Sequence, residues 1–366
     1  MKTILATFLT VLLLLPVSAF GEIQTITHTI KQPFGGSQSP DDARISAVAK
    51  AKREALELAG TYIESLTVVK NSQVDKDEIL ALAAGVLKTD VLSQENYHTK
   101  DAFGIEVVVK VVVDTSVLES RVKKLLQDRT HLEQLNQTRK KEKELLNEVA
   151  RLGEENQRLM AKKQSSGKLK KQFQNISQEL TVVDWKDKSI VLWDGGKYTE
   201  PQKAIEYLNQ AIRLKPDDAD VYSRRGDVYF SMRIFERTIE DYSRAILLRP
   251  ADYSYYLLRG GVYGILGQSK KAIQDFDQAI LLKPDFADAY FLRGIEYTGQ
   301  DQHYLAIKDF DQAILLKPDF AKAYNVRGLT YLISGNTLKG CSSLIRACEL
   351  GDCKNYHSNK SKGLCR

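Results

Sequence analysis

The chain has 366 residues, more than one hydrophobic core usually serves, so at least two domains are expected. Its 43% hydrophobic and 27% charged residues exclude a fibrous, wholly disordered or membrane-embedded protein. The net charge of +6 is local, since residues 119–171 alone hold 15 Lys or Arg against 8 Asp or Glu, so the surplus marks one segment and not the folded domains.

The chain opens with Lys2 and an apolar run over 4–17, interrupted by Thr7, Thr10 and Pro16. Small residues follow, and the whole reads as a signal peptide over 1–21, cleaved after Ala19 or Gly21. The run falls short of the ~20 apolar residues that cross a bilayer. The mature protein is therefore expected to be exported to the periplasm, with no membrane span after cleavage.

Residues 22–115 read as a small α+β domain. Alternation with β-branched residues predicts a strand over 22–31. Gly35-Gly36 and Ser39-Pro40 mark a loop. Asp41 or Asp42 then caps a helix whose apolar face is Ile45, Val48, Ala49, Ala55, Leu56 and Ala59. A short strand over 66–69, a helix over 75–87 and a hairpin of strands 91–98 and 105–113 complete the domain. The valine-rich run 107–113 does not alternate, which predicts a strand covered on both faces. His28 and His98 are placed on facing strands, as structural residues. In the stretches 49–55, 60–65 and 85–88 this domain resembles the N-terminal domain of flagellar assembly protein T and related envelope proteins, which implies an assembly module and not an enzyme.

Residues 116–163 form a long charged helix without proline. Leu135, Val149 and Asn156 share one heptad position, and Leu145, Leu152 and Leu159 the other. Thr138 and Glu142 interrupt the seam, and Leu118, Val122, Leu125 and Leu132 keep an offset register. An Asn among leucines predicts a parallel two-stranded coiled coil and a homodimer; a single spacer helix or an intramolecular contact is the alternative. Residues 164–181 are read as a polar, basic linker. The basic surplus carries no base-reading motif, so no nucleic-acid partner is expected.

A period of 34 then governs the chain. It joins Pro216, Pro250, Pro284 and Pro318; Gly226, Gly260, Gly294 and Gly328; Tyr222, Tyr256, Tyr290 and Tyr324; and Ala211, Ala245, Ala279, Ala313 and Ala347. Asp-Phe-Asp-Gln-Ala-Ile-Leu-Leu-Lys-Pro-Asp-Phe-Ala occurs at both 275–287 and 309–321. The region resembles the tetratricopeptide repeat family, which implies an all-α superhelix of antiparallel helix pairs. Glycine allows helix A to cross helix B closely, Tyr242, Phe276 and Phe310 fill the seam, and proline punctuates the turn between repeats. Five repeats are expected over 182–352. In the first, a three-residue surplus (Thr199, Glu200, Pro201) shifts the pattern, with Trp185 at the aromatic position and Ser189 at the small one. Asp275 and Asp277 are read as surface features of helix B.

In this family the residues following the aromatic and the small position face a concave groove. The resemblance therefore implies Ser223, Leu257, Phe291 and Asn325, then Asp227, Gly261, Ile295 and Leu329. No Lys or Arg is found at these positions, which argues against a clamp for C-terminal carboxylates. The groove is read as apolar with an acidic start at Asp220 and Asp227, suited to an apolar or amphipathic segment of a partner protein.

All four cysteines lie in the last 26 residues. In an exported protein they read as disulfides. Residues 353–366 form a capping tail, and an antiparallel return at ~1.5 Å per residue favours Cys348 with Cys353 and Cys341 with Cys365 among three pairings. Without Cys-x-x-Cys, and with His357 isolated, no metal is expected. No phosphate loop, nucleophile elbow or paired metal ligands occur, so neither catalytic residues nor cofactors are expected. The chain reads as an exported adaptor using its groove to bind an unidentified partner protein, or alternatively as a structural or envelope-assembly protein whose repeats self-associate.

Overall fold

The structure, a computed structural model, describes residues 23–66, 69, 74–99, 103–162, 164, 166–194 and 197–365, and the expected signal peptide lies outside the described residues. The chain divides between residues 180 and 181 into two compact units. The first contains strand β1 (Ile23–Phe34), helices α1 (Pro40–Ser65) and α2 (Lys76–Val86), strands β2 (Lys88–His98) and β3 (Phe103–Asp114), and helices α3 (Thr115–Gln127) and α4 (Arg129–Ala161).

The three strands are antiparallel in the order β1-β3-β2. Central β3 buries Ile105, Val107, Val109, Val111 and Val113 completely, while the residues between them are only half-buried. This corrects the expectation of two covered faces. On the other face β1 presents Thr25, Thr27 and Thr29 to solvent, and Lys31 pairs with Glu106 at 2.7 Å. His28 and His98 do not meet, because β3 lies between their strands. His28 contacts Glu54 at 2.7 Å, and His98 stacks on Phe103 at 4.5 Å.

Ser39, not an aspartate, caps α1. Its hydroxyl accepts from the Asp42 amide, the Asp42 carboxylate accepts in return from Ser39, and Pro40 starts the helix. The buried stripe is Ala43, Ala47, Ala51, Ala55 and Ala59, ending in Ile63, whereas Ile45 and Val48 are half-buried. Small side chains at i, i+4 let the helix lie close on the sheet. Asp75 caps α2. Leu66 and Val69, the described part of the expected strand at 66–69, are a bend and a helical turn.

The expected long helix is two helices separated at Asp128, and its apolar stripe is used within the chain. Leu118, Val122, Leu125, Leu132, Leu135, Leu145 and Leu152 are all buried in the single chain. Asn156 is no dimer-register residue: it donates to the Gly35 carbonyl at 2.7 Å and accepts from the Ser37 amide at 2.8 Å, holding the loop after β1. Glu142, expected to break the seam, is buried beside Arg139 (3.0 Å) and Arg53 (3.5 Å), and so ties α4 to α1. With its seam spent inside the chain, the parallel coiled coil has no support. The expected linker is mostly helical, because α5 spans Gly167–Ile190.

Candidate functional site

The second unit contains the end of α5, then α6 (Pro201–Leu214), α7 (Ala219–Ser231), α8 (Phe235–Leu248), α9 (Tyr253–Ile265), α10 (Ser269–Leu282), α11 (Ala287–Gly299), α12 (His303–Leu316), α13 (Ala321–Ile333), α14 (Thr337–Glu349) and α15 (Lys354–Ser361). Odd-numbered helices up to α13 are the A helices and even-numbered ones the B helices. Asp218 and Asp252 cap α7 and α9 through their carboxylates. The equivalent Phe286 and Phe320 make no such bond; they pack on Tyr253 (5.0 Å) and Phe291 (4.9 Å) instead. Just before the three-residue surplus, Trp193 and Tyr198 form a small bridge, and Pro201 of the surplus starts α6.

The seam matches its periodic spelling. Tyr242, Phe276 and Phe310 are at most 2% exposed, and Ala211, Ala245, Ala279, Ala313 and Ala347 are fully buried. A Cβ added at Gly294 would stand 2.7 Å from the Phe310 ring, which is why the position takes glycine.

A second periodic device passed unread in the sequence. Arg225, Arg259 and Arg293, each just before the crossing glycine, form two-pronged ion pairs with Asp241, Asp275 and Asp309 on the B helix of the same pair, at 2.7–2.9 Å. A further nitrogen of each donates backwards to the preceding B helix, at Asn209, Ser243 and Asp277. Arg327 repeats the backward bond to Asp311, but meets Ser343 where the aspartate would stand. Asp275 and Asp309 are 5% exposed, so both are interior anchors; Asp275 is therefore not the surface feature expected, whereas Asp277 is exposed.

The groove residues divide sharply. Ser223 is 1% exposed. Asp227 accepts from the buried Tyr242 hydroxyl at 2.7 Å, and burial together with Asp227 pushes that phenol well above its ordinary value. Asn325 is 6% exposed, donating to Asp352 and accepting from Asn355 of the tail at 2.7 Å. Phe291 leans on Phe310 and Phe320. Leu257 and Leu329 stay half-exposed, Ile295 is 37% exposed, and a Cβ on Gly261 would meet nothing within 4 Å. The repeat alignment also puts Lys186 after Trp185, so one groove position is a lysine after all. It is 8% exposed and held by Asp218 at 2.8 Å.

The expected acidic start is thus a closed network. Asp220 accepts from Arg249 at 2.8 Å and from the Tyr255 hydroxyl at 2.6 Å, with Lys186 at 4.0 Å. Burial alone would raise its carboxyl, but Lys186, Arg249 and Tyr255 outweigh burial and hold it at about 2, against 3.8 ordinarily. A carboxyl depressed on folding adds stability above its unfolded value and loses it as pH falls through the folded one. Asp220→Asn is expected to cost about 2 kcal/mol at neutral pH. In urea unfolding the gap to wild type should close between about pH 4 and pH 2; a gap constant over that range would refute the ionised role.

The tail pairs as expected. Cys341 bonds Cys365 and Cys348 bonds Cys353, with Cα separations of 5.4 and 3.9 Å. The supposedly isolated His357 has a ring nitrogen within 4.8 Å of the sulfurs of Cys348 and Cys353. Among the described residues no helix is long and apolar enough to cross a membrane.

Comparison with known proteins agrees with this geometry. Residues 192–232 match the TPR repeat family model, and 253–286 and 287–320 match the tetratricopeptide repeat model. No curated protein matches the chain in sequence. Solved structures that resemble it include MamA, at 23% identity and TM-score 0.40 over 45% of this chain and 92% of that one. MamA 41-end from Desulfovibrio magneticus RS-1 is 20% identical, with TM-score 0.43 over 48% and 97%. YrrB, described as a TPR protein with an unusual peptide-binding site, is 21% identical, with TM-score 0.40 over 45% and 84%. By the family-model matches, residues 192–232 and 253–320 of the second unit contain tetratricopeptide repeats, a type of scaffold for protein–protein interaction.

Proposed function

We propose that the chain is an exported, non-enzymatic adaptor that grips an apolar or amphipathic segment of a partner protein on the A-helix face of its repeats. The observation that carries this reading is the row of Leu257, Ile295 and Leu329, part-exposed beside the open position at Gly261. The other candidates serve internal contacts, so binding centres on α9, α11 and α13. Export is supported by the leader-like N-terminus and by the paired cysteines.

The test places a photo-cross-linking residue at Leu257 or Ile295 in the living cell, with Lys270, exposed on a B helix, as control. One discrete adduct to another protein, absent from the control, is the expected result. Equal adducts at both sites, or none, overturn the groove reading.

A second reading, self-association of the repeats in envelope assembly, is favoured by one observation. Leu247, Leu281 and Leu315 recur at the repeat period on B helices and are 69–72% exposed. Under that reading the adducts would join two copies of this chain.

A further inference from the structure

Cys348 lies in the last turn of α14, Gly351 (φ +98°) turns the chain, and Cys353 precedes the first residue of α15 with His357 four residues on, along the same helix face. The three donor atoms lie within 4.8 Å of one another, and a tetrahedral site with bonds of 2.0–2.3 Å sets its ligands about 3.7 Å apart. Shifts of about 1 Å would therefore assemble one. One feature keeps the donors together when their disulfide opens: Asn355 and Asp352 still dock on Asn325.

Cys348, Cys353 and Cys341 are half-buried, His357 is exposed and Cys365 is 1% exposed, so a reductant reaches a sulfur of either disulfide.

We propose that Cys348, Cys353 and His357 form a redox-gated site for a thiophilic divalent cation such as Zn²⁺. A dithiol reductant delivers two electrons and two protons to the Cys348–Cys353 bond, yielding two thiols and the reductant's own disulfide. Zn²⁺ then displaces both thiol protons to solvent and binds two thiolates and one nitrogen of neutral His357. Three protein ligands leave one position for water or an external donor. The charges of two thiolates and the cation cancel, which suits a site at the end of the stack.

The test uses the full chain, oxidised or reduced with a phosphine that is removed under anaerobic conditions before metal is added, and Co²⁺ and Zn²⁺ as probes. The reduced chain is expected to take up one equivalent of Co²⁺ with a thiolate-to-cobalt charge-transfer band, and the oxidised chain to show no such band. His357→Ala, at an exposed position that folding tolerates, should weaken Zn²⁺ binding by about 100-fold or more, since even outer-shell changes cost 10–100-fold. Cys348→Ser with Cys353→Ser should abolish the band, and Cys341→Ser with Cys365→Ser should retain it. The site is refuted if the reduced chain shows no band, if His357→Ala binds like wild type, or if binding follows Cys341 and Cys365.

Discussion

Replacing Phe310 by alanine is expected to cost the repeat stack about 3–5 kcal/mol. The ring is fully buried, fills the space that Gly294 leaves open, and supports Phe291 at 6.0 Å. Its loss removes burial and leaves a cavity walled by two helices already in contact, so the site cannot collapse far. Phe310→Leu should cost about 1.5 kcal/mol or less, because Leu344 holds the equivalent place, against Gly328, one repeat later. Urea unfolding followed by hydrogen exchange checks both numbers. Because each pair leans only on its neighbours, protection should fall first in α11 and α12. Equal stability of the two variants would show that the aromatic ring itself, not the filling of the gap, is what matters.

Glu142→Ala is expected to destabilise the first unit by about 3–5 kcal/mol, the usual cost of removing one member of a buried ion pair. Arg139 is 3% exposed and loses a carboxylate that water cannot easily replace, whereas Arg53 keeps Glu57 at 2.9 Å. Arg139→Met with Glu142→Leu removes both charges together and should recover most of the loss. Chemical denaturation of the three proteins decides the matter: a double variant as unstable as Glu142→Ala would mean that packing, not charge, governs the site.

What could be read in the sequence depended on whether a position serves one purpose or several. The 34-residue period gave the seam correctly, because glycine beside an aromatic at a helix crossing has one physical explanation. The disulfide pairing followed from helix rise alone. The leucines of α3 and α4 were ambiguous, because an apolar stripe serves a neighbouring helix as well as a second chain. Asn156 shared that ambiguity: its amide satisfies a loop as readily as a partner asparagine. Aspartate is usually exposed, so Asp275 reads as a surface residue although the Arg-Gly pair recurring ahead of it and its equivalents carries the clue. Asp220 and Asp227 looked like a binding patch because charge is visible in a sequence and its partner is not. His357 looked isolated because one of its neighbours lies across a turn.

The arginine ladder gives the stack a direction. Each guanidinium grips its own pair and reaches only towards the N-terminus. Shortening the array from its C-terminal end therefore leaves every remaining arginine with its full set of acceptors, whereas shortening it from the other end strands one donor in the new first pair. Growth at the C-terminal end is limited too: the place that Asn209, Ser243, Asp277 and Asp311 hold on the earlier B helices is Ile345 on α14, which accepts nothing, so the ladder ends with the last pair.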